Sequence, residues 1–137
     1  MEHLKIDSGA VSLAINGDES RVITFNPTDV KFAEDFFGLA QSFIAKRKEM
    51  AERSAALNGN PNAAAEELAM LRETYNFMRA EIDRVFGAGT AQTAFGNRDS
   101  LTAYIQFFRG IEPYVRNARQ NELDRYLKTN EGAVMDA

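Results

Sequence analysis

The stretch Ile82-Asp83-Arg84-Val85-Phe86-Gly87-Ala88-Gly89-Thr90-Ala91-Gln92-Thr93-Ala94-Phe95-Gly96-Asn97-Arg98 decides how this chain folds. Leu68, Leu71, Tyr75, Met78, Ile82 and Val85 lead into it in steps of three and four, an a/d-like seam over about five helical turns. A second such series, Leu101, Tyr104, Phe108, Ile111, Val115 and Ala118, begins just beyond it. Between the two the chain must turn twice, at Gly87/Gly89 and at Gly96-Asn97. Gly87 suits a left-handed cap for the incoming helix. Residues 90–95 then make a short helix, with Thr90 as its cap and Gly96 as its end.

Working toward the N-terminus, the incoming helix is expected over 62–86. Before it, Leu57-Asn58-Gly59-Asn60-Pro61-Asn62 is the clearest break in the chain. Pro61 suits a first helical turn, and the segment reads as the tip of a helical hairpin. The preceding helix is expected over 27–57. Asn26-Pro27-Thr28-Asp29 reads as its start, with Asn26 as cap and Pro27 in the first position. Ala33, Phe36, Phe37, Ala40, Phe43 and Ile44 form its apolar stripe, widened by Phe32 and Leu39. After Ile44 the residues turn charged, so the second half is expected to project into solvent or meet a partner.

Residues 3–25 read as strands. Leu4 and Ile6 alternate with polar neighbours, Ser8-Gly9 signals a turn, and Val11, Leu13 and Ile15 alternate again. Asn16-Gly17 tolerates the positive φ of a tight hairpin, with Asp18-Glu19-Ser20 extending the loop. The β-branched run Arg21-Val22-Ile23-Thr24-Phe25 pairs back. A sheet this small is marginal unless a helix covers one face.

Toward the C-terminus, Asp99 or Ser100 caps a helix over 100–128. Gly110 and Pro113 predict a kink or break near 109–113. Residues 129–137 lose the pattern and read as a frayed tail. The expected fold is α+β, mostly α. It comprises a small N-terminal antiparallel sheet of two or three strands, a helical hairpin, a short helix and a kinked C-terminal helix, in a single domain over 1–137.

With 137 residues, 45% of them apolar, the chain has enough material for a core without staples. It has no Cys, which removes disulfides, thiolate metal sites and Cys nucleophiles. A net charge of −4 and a pI of about 5.1 argue against electrostatic binding of nucleic acid. No apolar run is long enough to span a membrane, and the N-terminus lacks the apolar core of a signal peptide. These features agree with a cytoplasmic setting.

No residue pattern assigns a catalytic, cofactor-binding or metal site. Gly87-Ala88-Gly89-Thr90 lacks the Gly-Lys-Ser/Thr of a phosphate loop, and a helix precedes it where a dinucleotide fingerprint needs a strand. The sole histidine, His3, has no fixed partners in sequence. Glu66, Glu67, Glu73 and Glu81 lack the Glu-x-x-His pattern of a di-metal bundle and read as a solvated face. Lys46-Arg47-Lys48 is a basic triplet followed by Glu49 and Glu52, with Glu49 and Arg53 spaced for a helical pair. The aromatic set Phe32, Phe36, Phe37, Phe43, Tyr104, Phe107 and Phe108 exceeds what one seam needs, which leaves apolar surface for a partner or another copy of the chain.

Three pieces together resemble a family of small uncharacterised proteins of bacteriophages and prophages of Gram-positive bacteria, regarded as tail-assembly-chaperone-like. They are Leu4-Lys5-Ile6-Asp7-Ser8-Gly9; Phe25-Asn26-Pro27-Thr28-Asp29 with Phe32; and Val85-Phe86-Gly87-Ala88-Gly89-Thr90 followed by Phe95-Gly96 and Glu112-Pro113-Tyr114. The pieces are structural and carry no catalytic signature. The resemblance implies a non-enzymatic tail assembly factor in the cytoplasm of a bacterial host. It would bind tape-measure or tail-tube proteins, as an oligomer of itself in one version, with no cofactor, nucleic acid or membrane involved. The alternatives are a helical interaction or regulatory module of another pathway, and a nucleotide-binding protein or enzyme using the 87–98 loop with Arg98.

Overall fold

A computed structural model describes the backbone of residues 1–136 and the side chains of residues 1–128. The element order is β1 (Val11–Ile15), β2 (Asp18–Phe25), α1 (Val30–Ala55), α2 (Ala63–Phe86), α3 (Thr90–Phe95) and α4 (Leu101–Asp136). The fold is α+β and mostly α, with a two-stranded antiparallel sheet at the N-terminal end. The chain groups into two compact units. One holds Met1–Ala33 and the chain from Ser100 onward; the other is Glu34–Asp99.

In the first unit, β1 and β2 pair in the register Val11↔Phe25, Leu13↔Ile23, Ala14↔Val22. Asn16 and Gly17 both take positive φ, 54° and 75°, which matches the right-handed twist of the flanking strands. Asp18 does not extend the loop as expected. It pairs with Ile15, and the slip in register falls between Ala14 and Ile15. The Asp18 carboxylate accepts bonds from the Ser20 hydroxyl and amide, 2.6 and 3.0 Å, within the first residues of β2, while the turn itself carries a backbone bond from the Gly17 amide to the Ala14 carbonyl at 3.4 Å. The inner face of the hairpin carries buried Ile23 and Phe25. Phe25 stacks on Phe32 of α1 at 5.7 Å and meets Tyr114 of α4 edge-on at 6.0 Å.

Residues 1–10 are not a strand, so of the two or three strands expected over 3–25 the sheet has two, and the one read at Leu4 and Ile6 does not form. Leu4 and Ile6 are 85% and 79% exposed. Two alternating apolar residues define a face, but a strand also needs a neighbour to pair with.

The helix start is also displaced. Asn26 Oδ1 accepts bonds from the Thr28 amide and hydroxyl, closing a turn. Asp29 performs the capping instead: its carboxylate accepts the Lys31 amide at 3.0 Å and its carbonyl the Ala33 amide at 3.0 Å. α1 therefore begins at Val30, three residues later than Pro27 implied. At the other end of this unit, Ser100 caps α4 through the Ala103 amide. Tyr104, Phe107, Ile111 and Val115 form the buried face of α4. Of the kink or break expected near 109–113, the break is absent: α4 passes through Pro113 as one helix. Buried Ile111 and Val115 on either side fix this stretch, and proline removes a single donor from a long ladder. α4 continues to Asp136, beyond the expected end at 128, because losing the apolar pattern removes packing without removing backbone hydrogen bonds. Ala137, the last residue of the expected frayed tail, lies outside the described residues.

The second unit contains a helical hairpin. Phe36 meets Phe86, Phe43 meets Phe77, and Lys46 meets Glu73. As the α1 numbers rise the α2 numbers fall, which is the signature of antiparallel helices. The tip spans 56–62 and is tied by the Asn60 side chain accepting the Asn62 amide at 2.8 Å. The buried residues of α1 are Phe32, Phe36 and Leu39, whereas Phe37, Ala40 and Ile44 are exposed. The two residues read as widening the stripe are in fact its centre. In α2 the buried positions are Met70, Met78 and Ile82. Leu68 and Leu71, the first members of the expected seam, are 67% and 51% exposed.

Candidate functional site

The double-glycine stretch is held from behind by α2. Gly87 has φ 118° and ψ 151°, a positive-φ extended conformation rather than the left-handed helical cap expected. Its amide still closes the helix by donating to the Asp83 carbonyl at 2.8 Å. Asp83 then reaches forward, and its carboxylate accepts the Ala91 amide at 2.9 Å. Thr90, expected to cap α3, makes no capping bond and is buried. Where a bound anion would sit at this turn, a carboxylate of the same chain already takes the free amide.

The second turn is clamped by Arg79. Its guanidinium donates to Asp99 Oδ1 at 2.7 Å, to the Gly96 carbonyl at 2.7 Å and to the Arg98 carbonyl at 3.1 Å. It also lies 5.9 Å over the Phe95 ring. Arg72 adds a second pairing to Asp99 at 3.2 Å. The sequence reading missed Arg79, Asp83 and this use of Asp99. Their spacing, one and two turns before the glycines, was visible, but nothing in a linear sequence says which carbonyls a later loop will present.

The charged residues singled out from sequence are mostly engaged with each other. Lys46 is a largely covered side chain, 3.3 Å from both Glu49 and Glu73 and 5.2 Å over the Phe77 ring. Arg53 pairs with Glu73 at 2.8 Å. Hydrogen bonds from Arg53 and then Lys46 hold the Glu73 carboxyl below its ordinary range. Arg84 does the same for Glu81. So the polar half of α1, expected to project into solvent or meet a partner, is mostly exposed, with Lys46 and Arg53 reaching Glu73 of α2. The basic triplet is thereby split, with Lys46 turned to Glu73 and Arg47 and Lys48 exposed. Glu66, Glu67 and His3 are exposed. Among the described residues no group of three or more His, Asp or Glu could hold a metal ion.

Exposed apolar side chains gather on both α2 and α4. On α2, Leu68 and Leu71 border a shallow cleft of about 170 Å³ with Arg72, Tyr75, Asn97 and Asp99. On α4, every residue from 119 to 128 is exposed, and Leu123, Tyr126 and Leu127 share one side of the helix there. Among the described residues no helix is long and apolar enough to cross a membrane. A family model described as a family of unknown function (DUF6673) matches residues 16–132, and the chain belongs to that family. No curated protein and no solved structure matches the chain.

Proposed function

We propose that this DUF6673 member is a non-enzymatic tail assembly factor of a phage or prophage, acting in the bacterial cytoplasm by covering apolar helices of an unassembled tape-measure or tail-tube protein. The observation that carries the reading is the Leu68–Leu71 face of α2, apolar side chains left in solvent in the lining of a cleft that also holds the Arg72–Asp99 pair. A rigid helix with an uncovered apolar row suits an amphipathic helix laid alongside it. The resemblance of the Gly-punctuated turn and the Asn-Pro-Thr-Asp start to tail-assembly-chaperone-like proteins supplies the partner class.

Co-expression with phage tape-measure and tail-tube proteins, followed by affinity capture, tests the reading. Capture of the tape-measure or tail-tube product is expected. Replacing Leu68 and Leu71 together by Lys should abolish capture with the melting temperature unchanged, since both side chains are exposed. Failure to retain any tail protein would overturn the assignment and leave a helical interaction module of another pathway.

A further inference from the structure

Residues 3–7 have the alternation of a strand and no strand to join. Leu4 and Ile6 fall on one side of an extended chain, with Lys5 on the other, and both apolar side chains are almost fully exposed. The root of this arm is fastened. The Asn26 side-chain amide donates to the Ser8 carbonyl, and the Ser8 hydroxyl accepts the Ala10 amide at 3.2 Å. Gly9 has φ +76°, and a Cβ placed there would collide with the Thr28 hydroxyl. Residues 8–10 are thereby fastened to the 26–28 turn, and residues 1–10 pair with no strand of their own chain.

β1 meanwhile has a neighbour on one side, since the sheet order is β1-β2. Its inward residues Val11, Leu13 and Ile15 are half-buried, while their counterparts Ile23 and Phe25 on β2 are buried. The uncovered apolar area thus lies along β1, and β1 is five residues long, the span of the arm. A hairpin of two strands gains stability from a third.

We propose that residues 3–7 of one copy add as a third strand to the open edge of β1 in a second copy, with Leu4 and Ile6 placed beside its Val11, Leu13 and Ile15. Reciprocal exchange of two arms covers on the order of 1,000 Å² in all, at the lower limit for a specific pair, so the pair forms and dissociates with concentration. The surface involved is separate from the α2 face invoked for tail proteins, and the inference stands without that reading.

The absence of native cysteine makes the test clean. Ile6→Cys protein is mixed under mild oxidation with Leu13→Cys protein, and separately with Ala14→Cys protein, whose side chain faces away from the inner side. A disulfide between the two chains is expected with Leu13→Cys, at least tenfold more than with Ala14→Cys. Solution mass should rise from one chain to two with concentration, and Leu4→Asp/Ile6→Asp should hold it at one chain with unchanged melting. Equal cross-linking at both positions, a single-chain mass at every concentration, or closure of an Ile6→Cys/Leu13→Cys double variant within one diluted chain would each overturn the exchange.

Discussion

Arg79 shows how much one side chain can organise. It is 18% exposed and its partner Asp99 11%, so both charges are largely withdrawn from water and rely on each other. Arg79→Ala leaves Asp99 short of its closest partner and two backbone carbonyls short of a donor. The expected loss is about 2–4 kcal/mol, read by denaturant unfolding. A double-mutant cycle with Asp99→Asn should recover part of it, because the second change removes the stranded charge. Gly87 is a second residue whose chemistry is dictated by the backbone. At φ 118° and ψ 151° a β-carbon is strained although the surrounding space is open. Gly87→Ala should lower stability by about 1–3 kcal/mol with no loss of secondary structure by circular dichroism.

At the scale of the element, α2 separates two kinds of apolar position. Met78 is buried and Leu68 is not. Met78→Ala should cost about 2–5 kcal/mol and Leu68→Ala less than about 0.5 kcal/mol, in the same unfolding assay. Equal losses would mean that the Leu68 face is covered. The hairpin of α1 and α2 also carries a pH dependence. Because bonds from Arg53 and Lys46 lower the Glu73 pKa in the folded chain, its contribution is present above the ordinary carboxylate value of 4.5. It is lost as pH falls through the lower folded value. Glu73 is exposed to solvent, so the contribution is small and screened by salt. Glu73→Gln should therefore flatten the fall in melting temperature below about pH 4.5, and high salt should shrink the difference from the parent protein.

For the molecule as a whole, charge sets the class of partner. The net charge is −4, and Lys46 of the basic triplet is taken up by Glu49 and Glu73. Counterion release from a phosphate backbone needs several uncommitted cations in a row. The protein should show no shift of duplex or single-stranded DNA at about 150 mM salt. Retention under those conditions would direct attention to Arg47 and Lys48. Exposed apolar side chains lie on the α2 face at Leu68 and Leu71, on the far part of α4 and in the arm at residues 3–7.

The sequence by itself determined the order of the β1–β2 hairpin and the four helices, while the arm at 3–7 and the far end of α4 departed from expectation. Periodicity, Asn-Gly and the double glycine are local signals, and the hydrogen bonds they govern are local too. The Asn16-Gly17 turn, the break at 57–62, and helices ending at Phe86 and Phe95 were all legible for that reason. Tertiary structure decided which side of each helix counts as inside. Leu68 and Met70 are both apolar and two residues apart on α2, yet Met70 is core and Leu68 is surface. It also decided that Arg79 and Asp83 would serve a loop several residues away, and that Leu4 and Ile6 would find no partner within their own chain. Burial and long-range hydrogen bonding depend on what arrives from elsewhere in space, and a linear pattern does not specify that.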